Sequence, residues 1–412
     1  MGYKPCKPIG ELLDFSRGGG WGKESVFPDS KRIAIVRGAD FPSIARGDYE
    51  GLPIRFEKSK KVDSVALRAG DIVLENSGGT ETRPTGRTVL ITQKLIDSYD
   101  CPIIPASFCR VLRIAPSFDS TFIYYWLQNM YRSGRTWGYQ NRSTGLSNFQ
   151  FKAFSELELV PDLDIELQLR IASVLLQIDD KIALNNRLNG YLEELLFVGY
   201  DSLFPADLEP NGTLADIGDI VGGATPSKKR EEYYCADGIR WITPRDLSNS
   251  PNKFVSHGAT DITEEGFASC SVKLLPAGSV LFSSRAPIGY VAIAAAEVTT
   301  NQGFKSVVPK KEVGGAFVYC LLVRNRQRIA DLGAGTTFPE VSGSMMKSVR
   351  IALPSKQACA QFEEFASPIL RQQKALESEN RELGNLRDAL LPKLMSGEID
   401  VSGVIFHVQG EQ

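Results

Sequence analysis

The strongest constraint on this chain is an internal repeat with a period near 200 residues. Six short segments of the first half reappear in the same order in the second half, at offsets that fall from 208 to 193 residues. The matched segments are residues 7–10 with 215–218, 34–40 with 240–246, 67–74 with 275–282, 84–87 with 287–290, 122–125 with 317–320 and 158–161 with 351–354. The repeat predicts two copies of one arrangement of elements, with longer loops in the first copy.

Each copy has the same predicted order of elements. Short apolar runs separated by glycine and proline predict strands and turns, and a long helical stretch then follows a proline. The predicted fold class is α+β: two similar mixed α/β domains joined by two long antiparallel helices, which form a coiled coil with pseudo-twofold symmetry. The predicted boundaries are 1–160 for the first domain, 161–204 for the first long helix, 205–354 for a linker and the second domain, 355–400 for the second long helix and 401–412 for a C-terminal tail.

Apolar residues in both helices recur at alternating steps of three and four, which is the heptad pattern of a coiled-coil seam. Polar residues interrupt the middle of each seam, where they set register rather than add stability. We therefore expect the helices to pair with each other, although each could instead pack on its own domain. The predicted seam residues are Ile171, Leu175, Ile178, Ile182, Leu192, Leu196, Phe362, Phe365, Ile369, Leu376, Leu383, Leu386 and Leu390, with Asn185, Asn189, Gln372 and Glu379 as the polar positions.

The sequence lacks the motifs of several enzyme classes. Its only two histidines, His257 and His407, are too far apart for an H-E-x-x-H zinc site. No phosphate-binding P-loop and no glycine-rich dinucleotide motif after a strand occur. Seven cysteines without a C-x-x-C spacing are typical of a reducing cytosol, and no apolar run is long enough to span a membrane. We expect a cytoplasmic, non-catalytic chain that binds no metal.

The net charge of −2 conceals an uneven distribution along the chain. Residues 1–160 carry 22 Lys and Arg against 17 Asp and Glu, and residues 211–354 carry 16 against 13. The helical segments are acidic, with 3 against 10 in residues 161–210 and 6 against 9 in residues 355–412. The mildly basic domains are compatible with nucleic acid, whereas the acidic helices favour a spacer and a surface for other proteins.

Several motifs in the second half follow one another in an order that resembles a known family. They are residues 222–228 (GGATPSK), 238–242 (GIRWI), 245–247 (RDL), 277–289 (AGSVLFSSRAPIG), 300–303 (TNQG), 335–337 (GTT) with 341–342 (VS), 353–354 (LP) and 386–399 (LRDALLPKLMSGEI). This series is similar to a target recognition domain and distal helix of the specificity subunit of type I restriction-modification enzymes. In the first half, residues 72–79 (IVLENSGG) and 84–87 (PTGR) resemble a variant of the same domain, which here lacks G-x-T-P-S and a Trp-Ile pair before residues 37–40.

The resemblance covers nearly the whole chain and implies a non-catalytic subunit that recognises DNA. It implies two target recognition domains, a bipartite asymmetric duplex target with one half-site per domain, and a gap set by the helices. A helix of roughly 36 residues is on the order of 54 Å long, enough to reach successive major grooves about 34 Å apart. The implied partners are double-stranded DNA, two methyltransferase subunits and two motor-nuclease subunits. S-adenosylmethionine, ATP and magnesium are expected on those partners, with no cofactor on this chain.

Polar and basic residues of the loops are the candidates for DNA contact, because such side chains read base edges and hold phosphates. In each case a solvated loop residue or a structural ion pair is the alternative. The candidates are Arg37, Asn76, Ser77, Arg83, Arg87, Gln140, Asn141 and Arg142 in the first domain, and Thr225, Ser227, Lys228, Arg245, Ser284, Arg285, Asn301 and Gln302 in the second.

Two other functions remain open at this point. A scaffold with two repeated domains could bind protein instead of DNA, and binding to duplex DNA with a steep salt dependence would separate the two. A single-chain metal-dependent nuclease would need a carboxylate cluster for magnesium. The only two Pro-Asp pairs, at 28–29 and 161–162, are not closely followed by Glu-x-Lys, which disfavours the nuclease.

Overall fold

A computed structural model describes residues 6–142, 147–250, 252–285, 287–333 and 339–403 of the chain. These residues form two compact units: the described part of residues 1–187 and 379–412 makes unit 1, and the described part of residues 188–378 makes unit 2. Within the described ranges, no helix is both long enough and apolar enough to cross a membrane.

Unit 1 contains twelve strands among its described residues, and its helices are interspersed among these strands along the chain. The strands are β1 (Cys6–Pro8), β2 (Leu13–Gly18), β3 (Ser30–Val36), β4 (Ile54–Lys58), β5 (Ile72–Glu75), β6 (Ser77–Gly79), β7 (Thr88–Leu90), β8 (Ile103–Pro105), β9 (Cys109–Ile114), β10 (Gln140–Arg142), β11 (Ser147–Phe149) and β12 (Leu159–Pro161). The helices are α1 (Phe41–Ala45), α2 (Ser59–Val65), α3 (Gln93–Asp97), α4 (Ser120–Arg132), α5 (Phe151–Leu157) and α6 (Ile165–Leu203), the last continuing into unit 2.

The centre of unit 1 is a four-stranded sheet in the order β2-β9-β5-β7. Strand β5 is buried along its whole length, because apolar layers cover both faces of the sheet. Ile72 and Leu74 belong to the layer that contains α4, whereas Val73 belongs to the layer that contains β3 and β8. A continuous apolar run such as residues 72–74 (Ile-Val-Leu) is typical of a strand covered on both faces. Smaller sheets pair β4-β3-β8, β10-β11-β6 and β1-β12.

Unit 2 repeats this plan with shorter connections. Its strands are β13 (Gly212–Thr213), β14 (Gly218–Gly222), β15 (Tyr234–Cys235), β16 (Trp241–Ile242), β17 (Phe254–Val255), β18 (Asp261–Ile262), β19 (Val280–Ser284), β20 (Ile288–Ala294), β21 (Thr299–Thr300), β22 (Lys305–Pro309) and β23 (Arg350–Ile351). Its helices are α7 (Leu214–Ile217), α8 (Pro244–Asn249), α9 (Glu264–Ala268), α10 (Gly315–Leu332), α11 (Gly343–Lys347) and α12 (Lys356–Ser396), the last ending in unit 1.

The main sheet of unit 2 has the order β14-β22-β19-β20-β17. Its central strand β19 is buried on both faces, as β5 is in unit 1. Val280 and Phe282 pack in the layer that contains α10, and Leu281 packs in the opposite layer. The matched segments 67–74 and 275–282 therefore end in equivalent central strands, and the observed mixed α/β architecture with long helices agrees with the predicted fold class.

The long helices contact each other within each unit and run antiparallel there. In unit 1, the guanidinium of Arg387 lies 2.6 Å from the carboxylate of Asp179, and Asn185 donates to Glu379 at 2.8 Å. In unit 2, the side chain of Gln373 donates to the backbone carbonyl of Asn189 at 3.2 Å, and the ring of Phe365 lies against Gly199. Increasing numbers on α6 thus meet decreasing numbers on α12.

The long helices also pack on the domains. Their apolar stripes therefore do both things that the sequence left open: they pair with each other and they pack on the neighbouring domain. Ile171 and Leu175 lie in the cluster that contains Phe122 of α4, together with Leu391 and Leu394 of α12. In unit 1, the apolar faces of α6, α12 and α4 therefore meet in one cluster. The same holds in unit 2, where Leu196 and Phe362 share a cluster with Phe317 of α10.

Three predicted seam positions of α12, at residues 365, 372 and 386, are exposed, and for the first two the next residue along the helix is buried instead. Leu386 is 49 % exposed and Phe365 is 37 % exposed, whereas Ala366 and Gln373 are buried. The prediction that Leu386 lies in the seam is therefore wrong, and Gln373 replaces Gln372 as the buried polar position. Phe365 still contacts α6, because its ring lies where a Cβ on Gly199 would be.

Candidate DNA-binding site

Two strands of the main sheet in unit 2 end, and a third begins, on the same side of the sheet, which we call its edge here. Strand β14 ends at Gly222, which pairs with Lys305 at the start of β22. Strand β19 runs antiparallel to β22 and ends at Ser284. The loops that leave these ends therefore emerge together, and they carry Thr225, Arg285 and Gln302 from the candidate set.

The loop after β14 lies directly against the loop after β21. The amide of Ala224 donates to the carbonyl of Thr300 at 3.0 Å, and the indole of Trp241 donates to the carbonyl of Ala224 at 3.1 Å. A Cβ on Gly223 would overlap the carbonyl oxygens of Thr300 and Asn301, so only glycine fits at this position. This approach also brings the hydroxyl of Thr225 into a hydrogen bond with the side chain of Gln302.

Lys305 lies in the middle of this edge, with 15 % of its side chain exposed. Its ammonium lies 3.4 Å from the hydroxyl of Ser284, 3.5 Å from the carbonyl of Gln302 and 3.3 Å from the carboxylate of Glu340. Arg285 approaches the same carboxylate at 3.7 Å. Lys305 and Glu340 were not among the candidates from sequence, and their role is visible only after folding.

The other candidates of unit 2 differ in availability. Ser227, Lys228 and Arg245 are exposed, whereas the side-chain oxygen of Asn301 accepts from the amide of Gly303 at 2.8 Å. Ser284 is completely buried, with its hydroxyl next to Lys305, so the prediction that it contacts DNA directly does not hold in this conformation. Residues 335–337 of the family motif lie outside the described part of the chain.

In unit 1, two candidate arginines are held by carboxylates. Arg87 donates to both oxygens of Glu75 at 2.8 and 2.6 Å, and Glu75 is only 3 % exposed. Burial acts to lower the pKa of Arg87, but its hydrogen bonds and charge attraction to Glu75 outweigh this and raise the pKa. Arg37 makes a similar fork with Asp40, whose hydrogen bonds raise the pKa of Arg37. We therefore assign Arg87 to the interior of the unit, which corrects its prediction as a base contact.

The remaining candidates of unit 1 gather around the small sheet β10-β11-β6. Ser77 donates to the side chain of Asn148, a residue that the sequence did not indicate, and Asn141 lies directly opposite Asn148 in the register. The side-chain oxygen of Gln140 accepts from the amide of Thr85 at 2.9 Å. These contacts bring residues from positions 77 to 148 onto one small surface.

Two further candidates adjoin this sheet. Arg83 donates to the carbonyl of Gly78 at 2.6 Å, and its guanidinium lies 3.8 Å from Glu75. The side-chain oxygen of Asn76 is buried without a hydrogen-bond partner among the described residues. The side chain of Arg142 lies outside the described part of the structure.

A glycine at one loop crossing is common to both units, although the G-x-T-P-S motif is not. In unit 1, a Cβ on Gly19 would overlap the carbonyl oxygens of Pro105 and Ala106, and the amide of Gly20 donates to Pro105 at 2.9 Å. This repeats the contact of Gly223 and Ala224 in unit 2. The loop after β2 and the loop after β14 therefore leave their sheets by the same close backbone crossing.

The described residues contain no group of three or more His, Cys, Asp or Glu side chains that could hold a metal ion. Besides the carboxylates of Glu340 and Glu75, the two loop clusters carry amides, hydroxyls, ammonium and guanidinium groups. Groups of these kinds are able to donate hydrogen bonds to base edges and phosphates.

Comparison with known proteins places this chemistry in a family. The family model of the type I restriction modification DNA specificity domain matches residues 7–194 and again residues 206–381. The type I restriction enzyme MjaIX specificity subunit of Methanocaldococcus jannaschii is 44% identical over 146 residues, which cover 35% of this chain and 34% of that protein. The HindI specificity subunit of Haemophilus influenzae is 24% identical over 418 residues, covering 81% of this chain and 87% of that protein.

A solved structure supports the fold. The S subunit of a type I restriction-modification system from M. genitalium has a TM-score of 0.56 to this chain at 15% sequence identity, with 95% of both chains covered. Because two domain matches together span most of the sequence, the chain belongs to the type I restriction-modification DNA specificity family and is a specificity subunit, a non-catalytic member of its enzyme complex, as the sequence motifs predict.

Proposed function

We propose that this chain reads a bipartite, asymmetric duplex DNA target, with one half-site for each unit. The observation that carries the proposal is the loop cluster of unit 2, where Thr225 and Lys305 both contact Gln302, and Arg285 shares a carboxylate partner with Lys305. Arginine and amide side chains suit base edges, and lysine suits phosphate. The two units carry different side chains at their loops, so we expect two different half-sites, with a gap set by α6 and α12.

We further propose that methyltransferase subunits dock on an exposed apolar stripe of α6. In unit 2 the stripe consists of Leu188, Tyr191, Leu195 and Val198, which are 40 to 67 % exposed. Their steps of three and four residues repeat the heptad pattern on a face away from the buried Leu196 and Tyr200. An apolar stripe of this kind suits a helix of another protein. Two such subunits, and two motor-nuclease subunits, complete the proposed complex.

The proposed division of labour leaves cofactors to the partners. S-adenosylmethionine, ATP and magnesium would bind the methyltransferase and motor-nuclease subunits. This chain would supply sequence recognition and assembly.

Modified-base sequencing of the native strain, with and without the gene, tests the recognition function. We expect a two-part motif with an undefined gap to lose its methylation in the deletion strain and to regain it on complementation. Retention of every methylated motif in the deletion would contradict the proposal and favour a protein-binding scaffold.

The docking stripe has a separate test. Leu195→Glu combined with Val198→Glu changes two side chains that are already 47 and 67 % exposed, so we expect the fold to persist. Each apolar side chain contributes roughly 1 kcal/mol when the exposed half is covered, so the pair should weaken co-purification with the methyltransferase subunit at least tenfold. Glu194→Gln, at an exposed position between the stripe residues, is the matched control. Unchanged assembly of the double variant would refute this docking surface.

A further inference from the structure

The edge of the unit 2 sheet holds two cations around one carboxylate. The ammonium of Lys305 and the guanidinium of Arg285 lie 3.3 and 3.7 Å from oxygens of Glu340. Arg285 and Glu340 also face each other as an isolated backbone bridge, which places the two side chains side by side. The cluster therefore carries one positive charge more than its carboxylate balances.

The stem of Lys305 lies beside two glycines. A Cβ on Gly222 would lie 3.8 Å from Cδ of Lys305, and a Cβ on Gly343 would lie 4.0 Å from it. The two glycines leave room for this stem, and the ammonium lies between Ser284 and Glu340. Its other two contacts, to Ser284 and to the carbonyl of Gln302, are 3.4 and 3.5 Å long. Both are longer than a strong charge-assisted bond, so the ammonium can accept a better anionic partner.

The carboxylate is held less firmly than the lysine. The side chain of Glu340 is 40 % exposed and that of Arg285 is 37 % exposed, so solvent reaches both. Ion pairs at such positions contribute little to stability, and an incoming anion can replace the carboxylate. The backbone phosphate of DNA is an anion of the right chemistry, because both Lys and Arg bind it. Gln302, whose carbonyl contacts the ammonium of Lys305, is itself exposed.

We propose that Lys305 and Arg285 form a binding site for a phosphate of the DNA backbone, and that Glu340 occupies this site until DNA displaces it. The proposal rests on the proposed DNA-recognition function and adds a specific ligand and a competitor to it. Phosphate contacts fix the register of a protein on the duplex without reading bases. Glu340 thus lowers affinity for every duplex alike and leaves the choice of sequence to the other loop residues.

The test uses the assembled complex with its partner subunits and a duplex that contains its methylated motif. Glu340→Gln keeps the size of the side chain but removes the competing charge, so we expect duplex affinity to rise about 2- to 5-fold at moderate salt, the worth of the exposed ion pairs that it breaks. Lys305→Met removes the phosphate contact and should reduce the slope of log affinity against log salt by about 0.9. In the double variant, the gain from Glu340→Gln should largely disappear.

The controls separate this proposal from loss of folding and from failure of the general function. Glu297→Gln removes an exposed carboxylate elsewhere in unit 2 and should leave affinity unchanged. Arg285→Gln, at a more exposed position than Lys305, gives a second measurement if Lys305→Met unfolds. If the wild-type complex binds its motif but Glu340→Gln binds no better, the phosphate site is refuted while the proposed function stands. If the wild-type complex does not bind duplex DNA at all, the proposed function itself fails.

Discussion

Lys253 offers a quantitative test of how unit 2 holds its long helices. Its side chain is 8 % exposed, and its ammonium contacts Glu193 of α6 and Gln373 of α12 and lies 4.7 Å from the ring centre of Tyr319. The backbone amide of Lys253 also donates to Glu377 of α12 at 2.9 Å. Burial lowers the pKa of Lys253, while the attraction of Glu193 opposes that shift. The lysine thus joins the domain to both long helices.

The perturbation is Lys253→Met, which keeps the stem and removes the ammonium. Removing one partner of a buried ion pair costs about 3–5 kcal/mol. Glu193 retains two donors, the hydroxyl of Tyr319 at 2.9 Å and the amide of Gln373 at 3.2 Å, and is itself 30 % exposed. We therefore expect a loss at or below the lower end, about 2–3 kcal/mol in the free energy of unfolding.

Urea unfolding of the full chain, followed by circular dichroism, should show a midpoint about 1 M lower in the variant. Hydrogen exchange of the segment around residues 253–255 should accelerate in parallel. Lys273→Met, at an exposed position of the same unit, should change stability by less than about 0.5 kcal/mol. A Lys253→Met variant as stable as wild type would refute the reasoning. The desolvation cost of the buried ammonium would then equal the stabilisation that it gains from Glu193 and Gln373.

Two further predictions concern unit 2. Burial raises the pKa of Glu363, which caps the start of α10 through one oxygen, so the folded state keeps its proton to higher pH than the unfolded state does. This group therefore favours folding at acidic pH and opposes it as the pH rises through the raised pKa. We expect the stability of Glu363→Gln relative to wild type to increase as the pH rises above the ordinary carboxyl pKa of 4.5, as measured by thermal unfolding, and a constant difference would contradict this. Gly223→Ala should lower the free energy of unfolding by about 1–3 kcal/mol, because its Cβ would overlap two carbonyl oxygens. Gly222→Ala, whose Cβ would make only an ordinary contact at 3.8 Å, should lower it less in the same assay, and equal losses would show that the loop crossing can relax.

Much of the fold was predictable because its signals are local in sequence. The apolar runs 67–74 and 275–282 predicted equivalent strands, and both became central strands buried on two faces. The long helices begin within two residues of Asp164 and Pro354, where the start signals lie. The buried face of α12 was harder to predict, because Phe365 and Ala366 are adjacent apolar residues and only packing against α6 and α10 selects the one that is buried.

The candidate site was predicted only in part. Thr225, Arg285 and Gln302 were found because motifs carry them, and the sheet edge brings them together. Arg87 was misassigned because its partner Glu75 lies 12 residues earlier, at the end of β5, and the sequence does not show that the two side chains meet. No motif marked Asn148, whose contact with Ser77 joins positions 71 residues apart.

The sequence by itself determined the repeat, the order of elements, the absence of familiar enzyme motifs and the family, because hydrophobic periodicity and motif spacing depend on neighbouring residues. Only the tertiary structure decided which polar side chains are exposed and unpaired enough to contact another molecule. Ser284 became buried and Lys305 and Glu340 became neighbours across 35 residues, because strands that end at one sheet edge bring distant positions within hydrogen-bond reach. The burial and pairing of a charge depend on such contacts between distant segments, and these follow from packing rather than from any local pattern.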